Sequence, residues 1–160
     1  MYLDALEFLE DERDAWRPFE ALLELSDAQL EVPVETAHGW SGRDLMGHLL
    51  AWQEFALQAA RELAVNETSP SMQAKIADWD ARGGEAVNAD LQAAWAARPI
   101  AEVRERFAAL PGELRGTLTV VPETRWLKHA ATLRQFSDDT VEHYPEHRAD
   151  LDAILAAATR

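Results

Sequence analysis

Two histidines four residues apart, His143 and His147, lie in the stretch TVEHYPEHRADL near the end of the sequence. On an α-helix, side chains four positions apart project from the same face, about 5–6 Å from each other. Two imidazoles in that arrangement can bind one metal ion, with metal–nitrogen distances of about 2 Å. The spacing therefore predicts a metal-binding pair, provided that a helix carries both residues.

Pro145 lies between the two histidines and challenges that helix. A proline inside a helix removes one backbone hydrogen bond, and its ring crowds the carbonyl four residues earlier, here that of Val141. On a helical wheel, Pro145 lies nearly opposite the midpoint of the histidine pair, and a kink would bend the helix away from the proline. We therefore predict a bent helix that continues through Pro145, with the proline facing solvent and both imidazoles facing inward.

A catalytic metal ion needs a further ligand and at least one open coordination position. His48 lies between Leu45 and Trp52, beside the apolar stripe of the second long helix, and so points toward the interior or its edge. In helix bundles, ligands project inward from facing helices. His48, His143 and His147 are therefore the candidate metal site, although an inward histidine is also explained by a hydrogen bond within the core.

The remaining histidines and nearby acidic residues are interpreted as surface groups. His38 and His129 fall in predicted loops or at helix ends. Glu142 and Glu146 fall on the flank or outer face of the last helix, where a solvated charge is the simpler interpretation, although a carboxylate there could orient an imidazole.

A substrate pocket beside the histidines is the second feature that the sequence predicts. Its candidate lining residues are Trp52, Asn88 and Tyr144. Core packing explains most of the six tryptophans, and Asn88 could also cap a helix.

Helices must position all of these residues, because the chain is rich in Ala, Leu, Glu and Arg. The clearest helix start is HGWSGRDLMGHLL, where Ser41 is the predicted N-cap and Asp44 follows three residues later. Four long stretches predict an all-α four-helix bundle, in a single domain over residues 1–160, with extra short helices in the 65–98 connection. The other helical patterns are residues 2–25 with a kink or break at Pro18, a segment from Gly84 to Trp95, residues 99–118 interrupted at Pro111-Gly112, and roughly 132–158.

Composition narrows the class of function. With 15 basic and 29 acidic residues, the net charge of −14 repels phosphate backbones and acidic lipids, which argues against nucleic acid and membrane partners. The absence of cysteine excludes disulfides, cysteine-ligated zinc and a cysteine nucleophile. Without a signal peptide pattern or a long apolar run, we expect a soluble cytoplasmic protein.

The segments GWSGRDLMGHLLAWQEF and DDTVEHYPEHRADL resemble the DinB/YfiT-like superfamily of four-helix bundles. Within it, the chain is most similar to the ClbS/DfsB family and to the N-terminal domain of mycothiol-dependent maleylpyruvate isomerase. The middle segment of the ClbS/DfsB family is resembled by the stretch GGEAVNADLQAAWAARPIAEVRERF of this chain. The resemblance implies an up-down-down-up bundle that forms a homodimer. It also implies a divalent metal, zinc or nickel, held by His48, His143 and His147.

Three hypotheses for the function stay open at this point. The resemblance implies a metal-dependent enzyme acting on a small-molecule substrate, either a transferase or isomerase with a low-molecular-weight thiol as cosubstrate or a detoxifying hydrolase. The second is a metal-independent binder or ClbS-like protective hydrolase, with a pocket walled by Trp52 and Asn88. The third is a non-catalytic, stress-related bundle protein.

Overall fold

The computed structural model describes residues 1–160 and contains helices but no β-strand, so the predicted all-α helical bundle is confirmed. Short 3-10 segments lie between some of the helices, at Arg17–Glu24, Glu35–Ala37 and Glu123–Arg125. The α-helices are α1 (Ala5–Trp16), α2 (Asp27–Leu30), α3 (Gly42–Val65), α4 (Pro70–Arg82), α5 (Gly84–Ala96), α6 (Ile100–Leu118), α7 (Ala130–Asp139), α8 (His143–Glu146) and α9 (Arg148–Ala158).

Helix α3 lies at the centre of the fold. Ser41 caps it as predicted, since the Ser41 side chain accepts from the Asp44 backbone N–H and the Asp44 carboxylate accepts from the Ser41 backbone N–H. Fifteen of its 24 residues are buried, because α4, α5, α6, α7 and α9 all pack against it. A helix buried on most of its faces is expected to be apolar all round, so the polar His48 within it requires an explanation.

The hydrophobic core is one cluster of 31 buried residues. It extends from Phe8 on α1 to Ile154 on α9, and its largest fully buried side chains include Trp16 and Trp126. Core packing thus accounts for three of the six tryptophans, Trp16, Trp95 and Trp126. Trp52 is buried outside this cluster, Trp40 is half-buried and Trp79 is exposed.

The connection over residues 65–98 contains the extra helices that the sequence predicts, namely α4 and α5. Ser69 caps α4 by accepting from the backbone N–H of Met72, and Pro70 occupies the first turn, where a missing N–H costs nothing. Gly83 separates the two helices with a φ of +81°, which an L side chain rarely adopts. Both helices pack on α3.

The predicted interruption of α6 at Pro111-Gly112 is wrong, because the helix runs through Pro111 without a break. Its apolar stripe lies on both sides of the proline, with Phe107 and Leu110 before it and Leu114 and Leu118 after it, all buried. Burying each of these four side chains contributes about 1.5–3 kcal/mol. Their sum exceeds the cost of about 3 kcal/mol for a proline inside a helix.

The prediction of one bent helix over roughly 132–158 is also wrong. The chain leaves helical geometry at Thr140, where φ is −135° and ψ is −96°, and resumes as α8 and then α9. In an unbroken helix the ring of Pro145 would collide with the carbonyl of Val141, and the break removes that conflict. The Thr140 hydroxyl donates to the Phe136 carbonyl and so satisfies the end of α7.

Two parts of that prediction are nevertheless confirmed, because Pro145 is exposed and both histidines point inward. None of the helices combines the length and the apolar character that crossing a bilayer requires.

Candidate metal centre and substrate cavity

Three histidine rings lie together between α3 and the α8–α9 segment. His48 comes from α3, His143 begins α8, and His147 lies at the junction of α8 and α9. The Nε2 atom of His143 lies 3.0 Å from Nε2 of His48 and 3.1 Å from Nε2 of His147. The three candidate ligand atoms all lie within 4.8 Å of one another. The structure therefore brings together the three histidines that the sequence singles out.

The chemistry of this donor set fits a divalent metal ion. With bonds of about 2.0–2.1 Å, two nitrogens on a tetrahedral ion lie about 3.3 Å apart, close to the 3.0 and 3.1 Å found here. A neutral imidazole nitrogen offers either one proton or one lone pair, so Nε2 of His143 cannot satisfy both of its neighbours by hydrogen bonding. An ion that accepts three lone pairs would satisfy all of them, and imidazole nitrogens suit zinc and nickel.

The electrostatic environment favours the uncharged form of two of the three histidines. Burial, and then the repulsion between neighbouring imidazolium charges, lowers the pKa of both His48 and His143 to about 3. Metal ligation requires the neutral imidazole, because a protonated nitrogen has no lone pair to offer. His48 and His143 are therefore in their ligating form at neutral pH.

Asp150 holds the third ring in place. Its Oδ2 atom accepts from Nδ1 of His147 at 2.9 Å, which leaves Nε2 of that ring as the lone-pair nitrogen facing the cluster. The sequence suggests Glu142 or Glu146 for such an orienting role, but both are exposed, and the buried Asp150 performs it instead. The spacing of three residues between His147 and Asp150 was the available signal, since it places them on one helical face.

The two other histidines differ in their surroundings. His129 is exposed and caps α7 by accepting from the Thr132 backbone N–H, as its predicted place at a helix end suggests. His38 has a side chain 71% exposed, yet its Nε2 lies 3.3 Å from Oδ1 of Asp150. The backbone of His38 is left-handed, with φ of 59°, and its ring centroid lies 5.8 Å from that of Trp40.

Tryptophan side chains enclose the histidines. Trp40 stacks on His147, with ring centroids 5.6 Å apart and an interplanar angle of 25°, and its centroid is 4.9 Å from that of His48. Trp52 meets His143 edge-on at 6.0 Å. The indole N–H of Trp52 donates to Oδ1 of Asn88 at 3.1 Å, which fixes the ring between α3 and α5. Water therefore reaches the cluster from a restricted set of directions.

A cavity of about 660 Å³ opens over the three histidines. That volume lies within the usual range for small-molecule sites, about 300–1,000 Å³. Trp52 and Asn88 line it, but Tyr144 does not. Tyr144 is fully buried on the other side of α8, where its hydroxyl donates to Glu12 at 2.8 Å and accepts from Gln53 at 2.9 Å. Adjacent helical residues point about 100° apart, and here His143 faces the cavity while Tyr144 faces the core.

An ion pair that the sequence does not predict forms another part of the cavity lining. The ammonium of Lys75 lies 2.8 and 2.5 Å from the two carboxylate oxygens of Asp139, and both side chains are about 95% buried. Burial raises the pKa of Asp139 to about 6, although the charge of Lys75 acts in the opposite direction. Lys75 is one of only two lysines in the chain, but nothing in the sequence links it to a residue 64 positions away.

Residues 12–152 match the protein family described as the mycothiol maleylpyruvate isomerase N-terminal domain. The chain belongs to this family. The family is a member of the DinB-like superfamily, so both of these predicted relationships are confirmed, whereas the similarity to ClbS/DfsB proteins stays a prediction. His48, His143, His147 and Asp150 all lie within the matched range. No curated protein and no solved structure shows a significant match to the chain.

Proposed function

We propose that this protein is a divalent-metal-dependent enzyme that transfers or isomerises a small molecule with the help of a low-molecular-weight thiol. The observation that carries the proposal is the convergence of three imidazole nitrogens beside a cavity large enough for a substrate. The family description joins mycothiol to an isomerase and so supports both the thiol and the class of reaction.

His48, His143 and His147 would hold the ion, zinc or nickel, through their Nε2 atoms. When bound, such an ion supplies Lewis acidity and lowers the pKa of a thiol or water at its open positions. Asp150 supports this arrangement by keeping the proton of His147 on Nδ1, away from the cluster. Trp40 and Trp52 cover ring faces and edges of the ligands and limit the access of bulk water.

The cavity has room for two reactants, because it extends from the histidines past Trp52 to α4 and α5. Trp52 offers an apolar surface to a substrate. Asn88 fixes the orientation of the Trp52 ring by accepting the hydrogen bond of its indole N–H. Orienting two reactants in this way lowers the entropic part of the activation barrier.

Metal binding is the first test. After removal of metal with a chelator, the protein is dialysed against zinc or nickel, and the ion content is measured by elemental analysis. At an ion concentration of about 100 times the dissociation constant, bound metal stabilises the fold by about 2.7 kcal/mol, which corresponds to a Tm increase of about 5–10 °C. His143→Ala should abolish this increase, and His129→Ala is the matched control that should retain it. A wild-type protein that neither retains metal nor gains stability from it contradicts the proposal.

Thiol-dependent activity is the second test. Mycothiol or cysteine is supplied with a chlorinated fluorogenic electrophile, so that the thiol sulfur forms a bond to carbon, chloride leaves with the bonding electrons and the thiol proton passes to the buffer. The metal-loaded wild type should accelerate this reaction, and the stripped protein should not. Full activity after chelation would contradict a role for the metal ion in this reaction.

A further inference from the structure

The charge of the cavity rim is opposite to that expected for an anionic substrate. Five carboxylates line the cavity, and Lys75 is the only lysine or arginine among the lining residues. Lys75 is already paired with Asp139 and buried, so it offers little positive charge to a ligand. The carboxylates at the exposed rim are Asp80, Asp138, Glu142 and Glu146.

Most of these rim carboxylates lack a basic partner. Asp80, Glu142 and Glu146 form no salt bridge, and Asp138 has only an exposed contact of 3.6 Å with Arg134. With one lysine against five carboxylates, the lining side chains other than histidine carry four negative charges. A divalent ion held by the three imidazoles would still leave two. The field at the cavity mouth therefore attracts cations and repels carboxylates, whether or not metal is bound.

The wall between the rim and the histidines is aromatic. Trp52 lies between His143 and Trp79, with ring centroids 6.0 Å from the former and 5.5 Å from the latter. Trp79 is 42% exposed and Ile76 is 37% exposed, and both line the cavity. Large apolar side chains exposed together at a cavity mark a ligand-binding surface. The electron-rich faces of tryptophan also attract positively charged nitrogen.

We propose that the substrate of this cavity is an organic cation, a molecule with an apolar or aromatic body and a positively charged nitrogen. The inference rests on the proposed function and specifies its substrate class. The cationic nitrogen binds near Trp79, Glu142 and Glu146, and the apolar body lies along Trp52 with its reactive end toward the histidines. Dicarboxylates such as the maleylpyruvate of the family description meet electrostatic repulsion at the same rim.

Three probes that share a phenyl ring test this charge preference, namely benzyltrimethylammonium, benzyl alcohol and phenylacetate. Their affinities for the zinc-loaded protein are measured by isothermal titration calorimetry at low and at physiological salt. The cation should bind about tenfold more tightly than the alcohol, and phenylacetate more weakly than the alcohol. Added salt should reduce these differences, since it screens the rim charges. Equal affinity for the three probes, or preference for phenylacetate, overturns the inference.

Matched variants locate the preference at the rim. Glu142→Gln combined with Glu146→Gln should reduce the advantage of the cation about threefold or more, because two carboxylates near its nitrogen are neutralised. Glu10→Gln combined with Glu105→Gln changes the net charge equally on exposed residues outside the cavity and should leave the advantage unchanged. Equal effects of the two double variants would show that net charge alone is responsible, and would overturn the inference.

Zinc content measured on the same samples separates the two proposals. Protein that retains zinc but binds the three probes equally overturns the substrate class and leaves the proposed function standing. Protein that prefers the cation but never retains zinc overturns the proposed function, and the cavity is then a cation-binding pocket without metal chemistry.

Trp79→Leu keeps an apolar side chain but removes the π face, so it should weaken binding of the cation more than binding of the alcohol.

Discussion

The carboxylate of Asp150 accepts a hydrogen bond from Nδ1 of His147 at a distance of 2.9 Å. Loss of an outer partner of this kind typically weakens metal binding about 10- to 100-fold. Asp150→Asn should therefore raise the zinc dissociation constant by about that factor, as measured by competition with a chromogenic chelator. Asp152→Asn, at an exposed residue of the same helix, is the control. Unchanged affinity in the Asp150 variant would show that this carboxylate does not support the ligand.

Tyr144→Phe should separate the stability of the fold from binding in the cavity. The variant removes the donor to Glu12 and the acceptor for Gln53, both of which are fully buried. Each group left without a partner costs about 1–3 kcal/mol, so the free energy of unfolding measured in urea should fall by at least that amount. Zinc affinity should stay within about twofold of the wild type.

Trp52→Phe is the counterpart of that experiment, because Trp52 lines the cavity and loses its hydrogen bond to Asn88. Affinity for benzyl alcohol should fall in this variant and not in Tyr144→Phe. If Tyr144→Phe weakens ligand binding as much as Trp52→Phe does, Tyr144 influences the cavity although its side chain does not line it.

The buried pair of Lys75 and Asp139 should behave as a unit. Lys75→Met leaves a buried carboxylate without a partner, and Asp139→Leu leaves a buried ammonium, so each should lower the free energy of unfolding by about 3–5 kcal/mol. The double variant should recover most of that loss, because an apolar pair of similar volume replaces both charges. Strictly additive losses in urea titrations would contradict this. The exposed pair of Arg134 and Asp138 is a control for which we expect small, additive effects.

The pH dependence of stability should report the charge of Asp139. Burial raises its pKa from the ordinary value of 3.8 to about 6 in the folded protein. Between these values the folded state binds more protons than the unfolded state, so the stability contributed by this group is lost as pH rises through about 6. The stability of the wild type relative to Asp139→Asn should thus decrease from pH 4 to pH 6 and then level off.

Urea titrations at a series of pH values measure that difference, and Asp138→Asn controls for the loss of one negative charge beside the same position. A difference that instead increases with pH would mean that the attraction of Lys75 outweighs the burial of Asp139.

Features fixed by local chemistry could be predicted from the sequence. The capping box of Ser41 and Asp44, the break at Pro18 and the helix after Gly83 all depend on residues a few positions apart, and all are present. The grouping of His48, His143 and His147 could be predicted because helical periodicity places each of them beside an apolar stripe.

The failures occurred where local preference competes with distant packing. Pro111 and Pro145 are both internal to apolar helical patterns, yet only the chain around Pro145 breaks. Pro111 is itself buried within the apolar stripe of α6, whereas Pro145 is exposed and its ring gains no burial that would offset the clash of an unbroken helix. Lys75 and Asp139 could not be paired in advance, since their contact depends on how α4 packs beside α7.

The tryptophans around the cluster also give the protein an optical property. Trp40 stacks on His147 and Trp52 meets His143, so two of the six indoles are in contact with candidate ligands. Open-shell nickel and closed-shell zinc differ in their capacity to quench a nearby excited indole. The colour and yield of the intrinsic emission can therefore distinguish the empty, zinc-filled and nickel-filled forms without any added dye.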